Sequence, residues 1–163
     1  MSKQETINNI LKKVAENEAD FYLDYTPDIL RIHRIHDYLH QELFRIIEKY
    51  NLQEADFSVL GTLRREKSPY CLSPTELSHS MLFSSGGLTK VLIRVSDAGL
   101  IERIDNPEDK RSKLVKLTEK GKILIDKVIP ELHRQERKKM AVLSAGEQQQ
   151  LSLLLEKLLS AWE

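Results

Sequence analysis

The chain holds one cysteine, Cys71, in 163 residues, so no disulfide closes within it and packing must supply its stability. A lone thiol also fits a reducing compartment. Aromatic residues make up 6% against 31% charged residues, a balance that disfavours a β-sandwich and favours helices with solvated faces. Lys and Arg number 25, as do Asp and Glu, so the chain lacks the global basic surplus usual in nucleic-acid binders. No stretch approaches the roughly 18 apolar residues of a membrane span. The opening Met-Ser-Lys-Gln-Glu-Thr lacks the apolar run of a signal peptide, and the expectation is a soluble cytoplasmic protein without a membrane partner. Nor is there an internal repeat, a phosphate-cradling glycine loop or a nucleophile motif, so enzymatic function has no support and no cofactor is expected.

What the chain does carry is helical periodicity. Ile7, Ile10, Leu11 and Val14 predict a short amphipathic helix, followed by a connection over 20–27. Ile32, Ile35, Leu39, Leu43, Ile46 and Tyr50 mark one face of a longer helix over 28–50, with Pro27 suited to its first turn and Asn51 to its stop. Phe57, Leu60 and Leu63 give a third helix that ends in the polar Arg64-Arg65-Glu66-Lys67-Ser68-Pro69 run. Ser73-Pro74-Thr75-Glu76 is a capping box with proline at the first helical position, and Leu77 and Met81 follow on the inner face. Ser84-Ser85-Gly86-Gly87 breaks that helix, and Leu88, Val91, Leu92 and Val95 resume the period until Gly99 stops it.

Two short helices joined by a tight turn form a helix-turn-helix candidate. Two β-prone runs follow, 100–104 and 113–117, separated by the turn chemistry of Asp105-Asn106-Pro107-Glu108-Asp109. A charged hairpin directly after a recognition helix is a wing. Charge agrees locally: 84–122 carries nine Lys/Arg against six Asp/Glu, a surplus of three, whereas 1–50 carries seven against nine. Thr118-Glu119-Lys120-Gly121 opens a long helix with inner positions Leu124, Val128 and Leu132 and with Pro130 as a bend. Ser144-Ala145-Gly146-Glu147 caps a last helix striped by Leu151, Leu154, Leu155, Leu158, Leu159 and Trp162.

The ordered succession Leu-Ser-Pro-Thr-Glu-Leu-Ser, Ser-Ser-Gly-Gly-Leu-Thr-Lys, Gly-Leu-Ile-Glu-Arg, Asn-Pro-Glu-Asp-Lys-Arg-Ser and Leu-Thr-Glu-Lys-Gly, from Leu72 to Gly121, closely resembles the MarR (multiple antibiotic resistance regulator) family. The resemblance implies a mainly α fold with a small β-hairpin wing: a winged helix-turn-helix lobe over 52–121, between helices over 1–51 and 122–163 that intertwine in a homodimer. It also implies a repressor that binds double-stranded DNA at a pseudo-palindromic operator, and the expectation is that a small ligand between the dimer helices and the DNA lobe changes the separation of the two recognition helices. The helix matching 84–98 would enter the major groove, the arginine matching Arg111 the flanking minor groove, and Asp109 would brace that arginine or its neighbours. Two positions depart from the family: Val91 stands where many members carry Arg, and Gln53 where Thr is common.

Candidate DNA-reading residues follow from chemistry. Ser73 and Thr75 open the first helix of the pair. Ser84 and Ser85 offer hydroxyls and free backbone N–H groups to a phosphate, and Gly86 and Gly87 allow close approach. Thr89, Lys90 and Arg94 are expected on the outer face of the second helix, toward base edges or phosphates. Arg111, flanked by Lys110 and Lys113, carries the flat cation that narrow A·T-rich minor grooves attract. Each has a plainer reading as a cap, a solvated face or a turn brace. Tyr22, Tyr25, His33, His36, Tyr38 and Phe57 are candidates for an effector pocket, although helical interfaces use the same residue types for packing. His33, His36, Asp37 and His40 have metal-ligand spacing, but ordinary hydrogen bonding near a dimer interface is favoured and no metal site is assigned. Cys71 is read as an inert thiol rather than a redox trigger, and Arg134, Arg137, Lys138 and Lys139 as a solvated helix end. The rival functions are a winged-helix adaptor that binds another protein, and a metal- or redox-sensing regulator of the same fold.

Overall fold

The computed structural model describes residues 4–17, 26–81, 87–109 and 111–163, in two compact units, Met1–Leu43 and Phe44–Glu163. The first unit holds helix α1 (Ile7–Asn17) and most of helix α2 (Pro27–Glu48), with Pro27 at the helix start as its fixed φ favours. Leu11 and Leu43 are its buried apolar residues, and the Arg34 guanidinium donates to the Glu5 carbonyl at 2.9 Å. Ile32, Ile35, Tyr38 and Leu39 of α2 are exposed.

In the second unit, Asn51 stops α2 with a left-handed φ of 54°, a conformation that asparagine tolerates better than most residues. Helix α3 (Glu54–Arg65) follows, then strand β1 (Cys71–Leu72), helix α4 (Pro74–Ser80), helix α5 (Leu88–Asp97), strands β2 (Ile101–Asp105) and β3 (Lys113–Leu117), and helices α6 (Glu119–Met140) and α7 (Ala145–Leu159). The order of strands is β1–β3–β2, all antiparallel, with Cys71 opposite Lys116 and Arg103 opposite Val115. The hairpin meets expectation. Strand β1 does not: a two-residue strand has no period to read, and only its pairing with β3 defines it.

Helix α3 is the centre of this unit, packing against α4, α5, α6 and β3. Its Val59, Leu60 and Leu63 are fully buried, together with Leu77, Val115, Ile125 and Val128 from the surrounding elements. Each such side chain contributes about 1.5–3 kcal/mol relative to an exposed one. Helix α6 buries Gly121, Ile125 and Val128, whereas Leu124 and Leu132 are only half-buried, so its inner face is turned from the expected Leu124–Val128–Leu132 line. Gly121 explains the rotation. A Cβ there would lie 2.1 Å from the Leu100 carbonyl oxygen, so the bare glycine presses the first turn of α6 onto the backbone beside β2, and residues four and seven further on share that face.

Candidate nucleic-acid interface

Helix α4 begins as its residue types dictate. The Ser73 N–H donates to Glu76 Oε2 at 2.8 Å, the Glu76 N–H donates to Ser73 Oγ at 3.3 Å, and Pro74 occupies the first turn. Hydrogen bonding from the Ser73 side chain, and next from its N–H, holds the Glu76 carboxyl below its ordinary pKa. Ser73 is thus engaged in capping its own helix, and Thr75 beside it is exposed.

Helix α5 is capped by Gly87 and buries Val91, Leu92 and Val95 against the lobe. Thr89 and Lys90 lie on its exposed face, as expected. Arg94, half-exposed on the same helix, also carries an ion pair. Its Nη2 donates to Asp56 Oδ1 at 2.6 Å and its Nε to the same oxygen at 2.9 Å, and Asp56 is only 3% exposed. Asp56 Oδ2 also accepts the Gln53 N–H at 2.9 Å, which anchors the start of α3. A buried carboxylate left without its cation is costly, so Arg94, with its side chain still 40% exposed, ties α5 to α3 through Asp56. The Val91 departure also changes meaning. At 6% exposed, Val91 belongs to the core, so an arginine at this position of α5 would have to displace packing. The residue missed by periodicity is Ile93, 54% exposed on the outer face.

The far end of α5 is tied as well. Thr118 Oγ1 donates to the Gly99 carbonyl at 2.8 Å, and Lys120 Nζ donates to the Ala98 carbonyl at 2.6 Å. Gly99 takes the left-handed φ of 71° expected of a helix stop. Behind the lobe, Asp126 of α6 accepts from Arg64 at 2.6 Å and from Lys122 at 2.9 Å, and these bonds hold its carboxyl below the ordinary range. Glu131 is lowered likewise by Lys49 at 2.6 Å and Tyr50 at 2.7 Å.

In the β2–β3 turn, Arg111 N–H donates to Asp109 Oδ1 at 3.0 Å, Ser112 N–H to the Asp109 carbonyl at 3.0 Å, and Asn106 Nδ2 to Ser112 Oγ at 2.9 Å. Asp109 therefore braces Arg111 through its main chain, and the residue stands exposed near the tip. Lys113 forms an ion pair with its cross-strand neighbour Asp105, and Lys116 bonds Glu102 at 2.8 Å, so the wing's shaft is charge-paired. Ser84, Ser85, Gly86 and Lys110 lie outside the described residues.

Of the effector candidates, His33, His36 and Tyr38 are exposed in the first unit, Phe57 is half-buried in the second, and Tyr22 and Tyr25 lie outside the described residues. The His36 and His40 rings stack at 5.5 Å. Among the described residues no three His, Cys, Asp or Glu side chains converge as metal ligands would. An open cleft of about 540 Å³ lies instead between Phe44, Glu48, Leu52, Gln53, Glu54 and Ala55, none of which carries a motif that points to it in the sequence. No described helix is long and apolar enough to cross a membrane.

Known proteins resemble this arrangement. The sequence model of the MarR family matches residues 50–112. The multiple antibiotic resistance protein MarR of Escherichia coli (strain K12) is 32% identical over 144 residues, which cover 83% of this chain and 96% of that protein. The HTH-type transcriptional regulator PecS of Dickeya dadantii (strain 3937) is 28% identical over 95% of this chain and 93% of its own. Among solved structures, a mutant MarR from E. coli complexed with operator DNA superposes with a TM-score of 0.61 at 31% identity, covering 81% of this chain and 96% of that one.

Proposed function

The chain belongs to the MarR family of transcriptional regulators, and on that premise we propose that it is a sequence-specific, ligand-responsive repressor, acting as a homodimer on a pseudo-palindromic operator in the cytoplasm. The observation that carries this reading is the two-sided construction of α5. Val91, Leu92 and Val95 bind it to the lobe, Asp56 grips Arg94, and Thr89 and Lys90 are left facing solvent beside an Arg111-tipped wing. A helix fixed so firmly on one side presents a stiff reading surface to a major groove.

In this reading Thr89 and Lys90 meet base edges or phosphates, Arg111 enters the flanking minor groove, and Asp109 sets the turn that aims it. The segment 52–121 reads DNA, and the terminal helices pair with those of a second chain, for which the exposed Leu154, Leu155, Leu158, Leu159 and Trp162 supply the apolar surface. Two lobes held by one dimer span half-sites about one helical turn apart. A small effector that favours a different spacing lowers the population competent for DNA, by no more than its preference between the two states.

The test is binding of the purified chain to genomic fragments, followed by footprinting and titration of the protected duplex against a random one at several salt concentrations. Steep loss of affinity with salt together with strong preference for the footprinted duplex is expected. Flat, sequence-blind binding would overturn the reading.

A further inference from the structure

Resting on that reading of α5, we infer that Ile93 is a specificity residue that reads the 5-methyl group of thymine in the major groove. Ile93 follows Thr89 by four residues, so the two side chains are neighbours on one helix face, about 6 Å apart along the axis. That face carries little else to read with. Arg94, the next residue and the longest side chain nearby, has its guanidinium held by buried Asp56 although its side chain is 40% exposed, while Val91, Leu92 and Val95 are committed to the core. What remains in the first two turns is Thr89, Lys90 and Ile93: two methyl-bearing side chains beside one ammonium.

Aliphatic and threonine methyl groups discriminate bases by apolar contact with the thymine methyl, which no other base presents. Lys90 supplies attraction to phosphate or to guanine acceptors but cannot recognise that methyl. Asp97, exposed one turn beyond Ile93, would meet phosphate repulsively, which favours placing the amino-terminal half of α5 deepest in the groove. The Asp56–Arg94 clamp thus has a role in recognition: it neutralises the cation beside the reading face and leaves Ile93 as the aliphatic residue of that face.

The experiment replaces thymidine by deoxyuridine, one position at a time, in the footprinted operator, and measures affinity by fluorescence anisotropy for the parent chain, Ile93→Ala and Ile93→Val. Removing one buried methyl weakens binding about fourfold, so the parent chain should bind the deoxyuridine operator about fourfold less tightly at one or two positions per half-site. Ile93→Ala should bind the two operators alike, and Ile93→Val should restore most of the difference. Alanine is a good former of exposed helix, so the variant keeps the fold. Indifference of the parent chain to every deoxyuridine, or full discrimination kept by Ile93→Ala, overturns the inference while leaving operator binding intact. A change of oligomeric state in Ile93→Ala on sedimentation assigns the residue to a protein contact and also overturns it. If no unmodified operator is selected at all, the regulator reading falls together with this one.

Discussion

Helices α4 and α7 begin with the same chemistry and end in different circumstances. Each opens on a Ser-x-x-Glu box: the serine N–H donates to the glutamate at 2.8 Å in both, and the glutamate N–H returns to the serine oxygen at 3.3 Å in α4 and 3.4 Å in α7. Yet α4, seven residues long, buries Leu77 completely, whereas α7, with fifteen, buries nothing and exposes Leu153, Leu154, Leu155, Leu158 and Leu159. A cap decides where a helix starts. Whether its apolar face is satisfied depends on what lies opposite: for α4 that is the lobe around α3, and for α7 the proposed function supplies a second copy of the chain. The lobe closes its own core, and the last helix leaves its leucines exposed.

The largest break in that contrast comes from charging the α7 stripe. Leu154→Asp combined with Leu158→Asp should convert the dimer to monomer on analytical ultracentrifugation and weaken operator binding by about a hundredfold or more, because two linked half-site contacts become independent. The helical circular dichroism of the lobe should persist. A double variant that stays dimeric would remove α7 from the interface. Next comes Arg94→Ala, which strands the buried Asp56 carboxylate and should cost about 3 kcal/mol in urea unfolding. Its salt slope for DNA should match the parent's, because Arg94 neutralises Asp56 and no phosphate; a slope reduced by about one would return Arg94 to the DNA surface.

Arg111→Ala should behave oppositely. Its stability should be unchanged, its operator affinity about tenfold weaker, and its salt slope lower by about one. Unaltered affinity in an intact dimer would refute the role given to the wing tip. The smallest effects sharpen the comparison of the two caps. Ser73→Ala should cost about 1 kcal/mol of lobe stability in urea, while Ser144→Ala should show its similar cost in the dimer midpoint. Glu76 and Glu147 both have pKa values lowered by their serine bonds, so both caps stabilise fully above the ordinary carboxylate pKa near 4. That contribution is lost as pH falls through the lowered folded values. An acid titration followed by circular dichroism should therefore move the two serine variants less than the parent chain.

The helix starts, the left-handed stop at Gly99 and the wing turn were legible because each is a local bargain between a side chain and the backbone within a few residues. Leu60 and Leu63 of α3 and Val91, Leu92 and Val95 of α5 were legible for a similar reason, since apolar spacing marks a face, whereas the buried Val59 was missed and Phe57 is only half-buried. Arg94 and Ile93 were not. They are adjacent on α5, roughly 100° apart around it, and periodicity gives both a share of the outer face. The deciding partner, Asp56, lies 38 positions away and is itself an acidic residue in a first turn, where capping alone would explain it. Strand β1 and the turned face of α6 were hidden likewise, the first by its length and the second by the backbone of Leu100 against Gly121.

The sequence by itself determined that this chain makes capped helices, a turn-punctuated hairpin and a last helix with an apolar stripe. Those features rest on hydrogen bonds and periodicities that span a turn or two. The tertiary structure alone decided which cation of α5 is paired, because a buried carboxylate on a distant helix had to be matched with one. It also turned a face that looked basic and polar into one with an isoleucine at its centre.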